Sequence, residues 1–509
     1  MKWSLALLVL LVPVVWNTVD YFETSEIDRP NIVLIIADDL GPQLGIYGDP
    51  NARTPNIDRI AEEGTRFNAG YVTAASCSPS RGSIFTGLYP HQHGMMGLSQ
   101  FGTQRMHDNV PKLPNALRDL GYRTAIIGKT HYEPRDHFAW DMEEANSQKV
   151  LFDRDVLWMN QRAMAFVDDS SRPFFLVVSY ADPHRVGVSD GGRYGPRRNL
   201  KFPRTRLGLP QQNTPPSEIT PFPFLGLDSR QIREELADYY GAVDRLDIGV
   251  GDLRNQLVSR GLWKDALVIF IGDHGPDVTR GKMAVYESAV RIPFLLKAPG
   301  AETGVVREEL VSTVDIFPTL LDAAKSGEVP PGEGRSLLPL TVANASPDWR
   351  RYLFTEYITH GPTQFFPRYA VRDERYKLIF NAHDQELKNP LNPAHYCNAW
   401  WESRKPKYRH SPIKAVYNRV EKPPRVELYD LQEDPYEWHN LAGSADLAEV
   451  KGRLSLAVHM WRQSTGDPLL DPAAFRQEQN KRAQPDDPPT RATRWLKQGL
   501  ARLVPQDNE

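Results

Sequence analysis

The run Cys77-Ser78-Pro79-Ser80-Arg81 places a sulfur nucleophile and a guanidinium one helical turn apart. Pro79 stands where a helix begins, and Gly87 with Pro90 where one ends, which predicts Cys77 at a helix N-terminus. There the free backbone N–H groups and the helix macrodipole favour an anion. The chain has 2 cysteines in 509 residues, so Cys77 belongs to no disulfide framework. Taken together, these residue types describe a nucleophile facing an anion-binding pocket. Cys77 read alone would equally suit a small buried core position.

Four further polar clusters each follow an apolar run. Asn31 to Ala37 (NIVLIIA) ends in Asp38-Asp39. A run so apolar belongs to a buried parallel strand, and paired carboxylates at its end then need a cation. Thr124 to Ile127 leads into Gly128-Lys129-Thr130-His131, and Phe174 to Ser179 into Asp182-Pro183-His184-Arg185. Ala266 to Ile271 leads into Gly272-Asp273-His274-Gly275. Alone, the Asp273-His274 turn would suit a structural role and Lys282 a solvated surface.

The elements that must position these groups follow from the same pattern. Helical stretches lie between the apolar runs, notably Ser229 to Arg260, and Thr54-Pro55 through Gly64 reads as a capped helix burying Ile57, Ile60 and Ala61. This βα alternation predicts an α/β fold, a mostly parallel central sheet flanked by helices. Ligands of such sheets bind beyond the carboxyl ends of the strands, which is where all four clusters fall.

Length and composition set the frame. A chain of 509 residues implies two domains: a larger one over 26–349 and a smaller one over 350–476. Tyr369 to Asn381 has the pattern of a hairpin with a charged turn at Arg372 to Arg375. Glu427 to Leu441 adds a strand and turn, and Asp446 to Trp461 an amphipathic helix with Ser444 as its cap. These predict a smaller antiparallel sheet with a packed helix. From about Gln477 the chain reads as a charged, Pro-containing tail, in which Thr493 to Val504 suits a short helix. Residues 3 to 16, behind Lys2, form an apolar run that suits a signal-peptide core or an uncleaved N-terminal membrane anchor, so 1–25 is read as an export segment. The body is expected outside the cytoplasm: periplasmic, extracellular or lumenal. A net charge of −3 gives no sign of a nucleic-acid partner.

With these residues in hand, the chain is identified as resembling the sulfatase family of the alkaline-phosphatase-like superfamily. The stretches CSPSRGSIFTGL, HQHGMMGLSQ, IIGKTHY, RPFFLVVSYADPHR, ALVIFIGDHG and ELYDLQEDPYEWHNLA carry the resemblance across nearly the whole length. Within the family it is most similar to the N-sulfoglucosamine sulfohydrolases, or sulfamidases. It departs from them at His274, where they carry Asn, at Lys282, where they carry Arg, and at Ala181, where they carry His. The bond cleaved, N–S or O–S, is therefore left open.

The resemblance implies that Cys77 is oxidised to formylglycine by a formylglycine-generating or equivalent maturation enzyme. It implies a metal site of Asp38, Asp39, Asp273 and His274, with Cys77 as a further ligand, holding Ca²⁺ with Mg²⁺ as the alternative. Arg81, Lys129 and His131 would hold the nucleophile, and His184 and Lys282 would meet the sulfate and the leaving group. In this scheme one hydroxyl of the hydrated aldehyde attacks sulfur and His184 protonates the departing atom. The second hydroxyl then expels sulfate. The expected substrate is a sulfated, heparan-like saccharide. The alternatives are a phosphonate or phosphodiester hydrolase of the same superfamily, and a non-catalytic sulfated-glycan binder in which Cys77 stays a thiol.

Two basic segments could grip a polyanion. Gly191 to Pro210 carries Arg193, Arg197, Arg198, Lys201, Arg204 and Arg206 with no acidic residue, directly after His184. Arg197 and Arg198 are the residues singled out there. The second segment holds Trp400, Trp401, Arg404, Lys405, Lys407 and Arg409.

Overall fold

A computed structural model describes residues 29–101, 104–169, 172–187, 200–210, 214–327, 330, 332–361, 364–383 and 397–483. The export segment, Arg197, Arg198 and the stretch Thr493 to Val504 lie outside the described residues. Among the described residues no helix is long and apolar enough to cross a membrane.

Eight strands form the large sheet. In chain order they are β1 (Ile32–Ala37), β2 (Thr65–Phe67), β3 (Arg123–Gly128), β4 (Met142–Glu144), β5 (Phe174–Ser179), β6 (Leu267–Gly272), β7 (Phe294–Lys297) and β8 (Val305–Arg307). Their spatial order is β8-β2-β7-β6-β1-β5-β3-β4. Only β7 runs antiparallel to its neighbours. β1 lies at the centre between β5 and β6, parallel to both, and all six of its residues are buried. Covered on both faces, it has no use for alternating polar residues, which is why its sequence is a continuous apolar run.

The strand register decides where the polar clusters go. Ile36 pairs with Ser179, Ala37 with Gly272, and Gly128 with Ser179. The ends of β1, β3, β5 and β6 are therefore level, and the residues that follow each one emerge at the same edge.

Helices cover the sheet. The expected helix at Thr54 is α1 (Pro55–Glu62), with Ile57, Ile60 and Ala61 buried. Its cap differs from the expectation. Thr54 turns its hydroxyl to Asp58, and the free N–H groups of Asn56 and Ile57 donate instead to Asp247 Oδ1, at 3.0 and 2.8 Å. A carboxylate from a distant helix thus takes the capping position, complementing the dipole there. That distant helix is α3 (Arg230–Ser259), and its N-cap Ser229 accepts from the Ile232 N–H.

The second sheet is antiparallel and four-stranded: β9 (Leu353–Tyr357), β10 (Arg368–Arg372), β11 (Tyr376–Asn381) and β12 (Val426–Asp430), in that spatial order. The predicted hairpin is β10–β11, closing at the pair Arg372–Lys377. α4 (Ala448–Ser464) packs Leu454, Val458 and Trp461 on this sheet. Ser444 does not cap it: the helix starts after Leu447, three residues further on, with no side-chain cap. A last helix, Pro472–Ala483, runs past the point at which the tail was expected to begin.

Candidate active site

The helix that carries Cys77 is α2 (Cys77–Thr86), in which every residue is buried. Cys77 is its first residue, and Gly87 closes it with φ 70°, a left-handed turn that glycine adopts without strain. The sulfur is ringed by polar groups. His274 Nε2 lies at 3.3 Å, Lys129 Nζ at 3.4 Å and Asp38 Oδ1 at 3.8 Å. Burial pushes the thiol upward, but Lys129, Lys282 and His274 outweigh it and hold it well below its ordinary range. The pocket is built to stabilise negative charge at the position of Sγ.

Three fully buried carboxylates face one another beside the sulfur. One oxygen from each of Asp38, Asp39 and Asp273 lies within 4.8 Å of the others. Asp39 has φ 65°, a left-handed conformation that non-glycine residues seldom adopt, and its N–H donates to Asp273 Oδ1 at 2.9 Å. Burial raises Asp273 to about 7, with the neighbouring charge of Asp38 adding to the effect. Asp38 moves the other way: despite its burial, Lys129, at 2.7 and 2.5 Å from its two oxygens, holds it ionised. His274 is lifted to about 9 against its burial by Asp273, Cys77 and Asp39. Three carboxylates packed this closely without solvent form a hard oxygen-donor set that fits a divalent cation, with His274 as a nitrogen donor on the same side.

Arg81 lies beneath this layer. Its Nε donates to Asp273 Oδ2 at 3.0 Å, and Nη1 donates to Ser179 Oγ at 2.7 Å and to the Lys129 carbonyl at 2.9 Å. The guanidinium thereby joins the ends of β3, β5 and β6 to α2. Gly128, with φ 108°, makes this junction possible: a Cβ there would meet the Ser179 carbonyl oxygen at 2.2 Å.

The remaining expected residues also converge. Lys282 Nζ sits 2.8 and 3.1 Å from the Asp39 oxygens. Its loop is fixed by left-handed residues on both sides, Arg280 and Met283, and by the Met283 N–H on the Ala75 carbonyl. His131 lies beside the sulfur, hydrogen-bonded through Nε2 to Gln100. Burial, then the charge of Lys129, lowers it to about 4. His184 Nε2 stands 3.9 Å from Asp39 Oδ2, and its side chain remains 30% exposed, so it faces the mouth of the site.

Three residues to which the sequence assigned no role support these groups. Asp182, before His184, is held by Arg245 through bonds of 2.7 and 2.6 Å and by Arg154 at 3.2 Å, and its carbonyl accepts from the Asp38 N–H. Arg245 lies on the apolar stripe of α3 among Ala242, Val243, Leu246 and Gly249. A charge on that face was the available signal, since buried arginines occur only where paired. The third is His360, from the loop after β9, whose Nδ1 lies 2.9 Å from Ser76 Oγ.

The basic segments fare differently. Arg204 is paired with Asp238 and Arg206 with Asp244, so α3 neutralises two of the cations ahead of Pro210. Lys405 and Lys407 both pair with Glu402, and Arg404 stacks on the buried Trp400 while bonding Glu421. Trp401 is the exposed aromatic of that segment.

The family model "Sulfatase" matches residues 30–326, more than half of the chain, and takes in every one of these converging groups except His360. The chain belongs to the sulfatase family. A second model, "N-sulphoglucosamine sulphohydrolase, C-terminal", matches residues 275–391. Among curated relatives, human N-sulphoglucosamine sulphohydrolase is 31% identical over 472 residues, covering 87% of this chain and 92% of that protein. An ulvan-active sulfatase of Formosa agariphila is 27% identical, over 87% of this chain and 82% of its own. Among solved structures, BT4656 in complex with its substrate D-glucosamine-2-N,6-O-disulfate superposes with a TM-score of 0.63 at 21% identity, covering 86% of this chain and 99% of that one. A phosphonate monoester hydrolase from Silicibacter pomeroyi gives 0.61 at 21%, over 87% and 97%. At that identity these structures establish the fold: this sulfatase has the alkaline-phosphatase-like architecture, with the smaller antiparallel sheet after it.

Proposed function

We propose that this sulfatase hydrolyses a sulfate ester or sulfamate of a sulfated saccharide outside the cytoplasm, with a formylglycine derived from Cys77 and a Ca²⁺ ion. The observation that carries this is the closure of Asp38, Asp39 and Asp273 beside Cys77, with Lys129 on Asp38 and Lys282 on Asp39. Asp38, Asp39, Asp273 and His274 would hold the ion, which would polarise a sulfuryl oxygen and lower the pKa of the attacking hydroxyl. The aldehyde hydrate would supply that hydroxyl and a second one, whose loss of a proton releases sulfate; a serine would stop at a stable ester.

The chain's own side chains do the rest. Lys129 and Lys282 lie where charge develops on the sulfuryl oxygens, and α2 directs its first N–H groups to the same place. His184, at the open end, is positioned to protonate the departing oxygen or nitrogen. Arg81 fixes Asp273 and the strand ends. Its buried Nη2 has no hydrogen-bond partner among the described residues and would hold an oxygen of the hydrated aldehyde. The saccharide is proposed from the relatives: the human protein is named for N-sulphoglucosamine, and the Formosa protein for ulvan. Residues 26–349 would form the catalytic domain and 350–476 the smaller one. Arg197 and Arg198 remain the proposed grip on neighbouring anionic groups.

The test is release of inorganic sulfate from N-sulfoglucosamine and from 4-nitrophenyl sulfate, with mass spectrometry of the Cys77 peptide. Sulfate release together with an aldehyde at position 77 supports the reading. An unmodified thiol in active enzyme, or faster turnover of an aryl phosphodiester, overturns it.

A further inference from the structure

Ser76 occupies the N-cap of α2, the position at which a serine hydroxyl ordinarily accepts from the first N–H groups of a helix. Here it makes no such bond. Its Oγ is instead 2.9 Å from Nδ1 of His360, a residue 284 positions later that follows the first strand of the small sheet. Two consequences follow. The N–H groups of Cys77 and Ser78 at the start of α2 take no cap from the Ser76 hydroxyl. One nitrogen of the His360 ring is fixed by protein, whereas Nε2 has no hydrogen-bond partner among the described residues.

The surroundings of that ring are those of the active site. Burial comes first, then the charge of Lys282, with His274 and His131 adding to it, and together they hold the imidazole well below its ordinary range. The loop is also tied down: the Leu98 N–H donates to the His360 carbonyl at 3.0 Å, and Gly97 is pressed against Thr359. Leu98 lies two residues from Gln100, the partner of His131. His360 is thus half-buried, held in place and neutral at the rim of the Cys77 pocket.

A neutral ring with one nitrogen committed offers a directional hydrogen bond without charge. The sulfuryl group already faces Lys129, Lys282 and the start of α2, and a neutral donor adds little there. A sugar hydroxyl fits better, because it donates or accepts as needed and so matches either tautomer. We propose that His360 is a substrate-contacting residue, whose Nε2 hydrogen-bonds a hydroxyl of the saccharide that bears the sulfate. This rests on the sulfatase reading above and deepens it: the small sheet would supply part of the sugar site.

The experiment compares His360→Ala and His360→Gln on N-sulfoglucosamine and on 4-nitrophenyl sulfate, which has no sugar hydroxyl. Loss of one hydrogen bond to a neutral group should lower kcat/KM for the sugar about tenfold and that for the aryl sulfate by less than about threefold. His360→Gln, which keeps an amide at similar reach, should recover part of the loss. Equal losses on both substrates would mean that His360 acts only through Ser76 and α2, and no loss on either would mean that it touches no substrate; each result overturns the proposal. Calorimetry of N-sulfoglucosamine binding to Cys77→Ser, with and without His360→Ala, separates this from a failure of the sulfatase reading. Weaker binding in the double variant supports the contact even where turnover is absent. Unchanged binding, or none by either protein, overturns it. Thermal unfolding of each variant confirms that it is folded.

Discussion

Arg81 Nε donates to Asp273 Oδ2 at 3.0 Å, with both side chains fully buried. The pair joins the helix that carries Cys77 to the strand end that carries Asp273 and His274. Removing the arginine leaves the buried Asp273 Oδ2 without its guanidinium partner. Arg81→Ala should therefore destabilise the protein by about 3–5 kcal/mol, and Arg81→Lys by less, since it keeps the charge and loses the fork. Urea unfolding checks this; a loss below about 1 kcal/mol for Arg81→Ala would show that the pair does not support the fold.

Cys77 is buried, and serine is close to it in volume. Cys77→Ser should leave the unfolding midpoint almost unchanged while abolishing multiple turnover. Intact-mass measurement after substrate exposure should reveal a retained sulfate. Sustained turnover by the purified variant would contradict the proposed mechanism.

Asp273→Asn removes one of three buried carboxylates and keeps its shape. Elemental analysis should find one divalent cation per chain in the wild type and a substoichiometric amount in the variant. Activity should fall by more than about 100-fold. Full activity after exhaustive chelation, with no metal detected, would dismiss the ion.

His93 gives a pH dependence away from the catalytic groups. It is buried behind α2; Nδ1 accepts from the Met95 N–H at 3.2 Å, and Nε2 lies 3.2 Å from the Pro79 carbonyl, so the ring is neutral. Burial lowers it to about 3, well below the unfolded value near 6.5. The unfolded chain binds this proton first on acidification. The contribution is complete above pH 6.5 and is lost as pH falls towards 3, at about 1.4 kcal/mol per unit. His91, raised by Glu356 against its burial, opposes this, because its contribution is present at low pH and lost as pH rises through its folded value. The clean measurement is therefore a difference. Between pH 6 and 4.5, the slope of stability against pH should be shallower in His93→Gln than in the wild type. Equal slopes would show that His93 is not buried as a neutral ring.

Gly128→Ala tests the register at the sheet edge. The added methyl meets the Ser179 carbonyl at 2.2 Å in a left-handed backbone. The cost should exceed about 3 kcal/mol. A variant with wild-type stability and activity would mean that the ends of β3 and β5 can separate without loss.

The sequence by itself determined the apolar strands, the helix that starts at Cys77 and the polar residues that leave each strand end. Those follow from local physics: a strand buried on both faces is continuously apolar, and proline and glycine mark where a helix starts and stops. The convergence of Asp38, Lys129, His184 and Asp273 was legible too, because parallel strands in one sheet end at one edge. Only the tertiary structure decided which cation meets which carboxylate. Lys282 reaches Asp39 from 243 residues away, and Asp247 caps α1 at Asn56 from 191, distances over which local pattern carries no information. Nor could spacing show that Arg204 and Arg206 are already paired by α3, or that Ser76 turns from its helix to His360. A side chain's partner is set by which surfaces pack together. That in turn depends on the order of strands across the sheet and on how the second sheet docks, and neither is written in any single stretch of the chain.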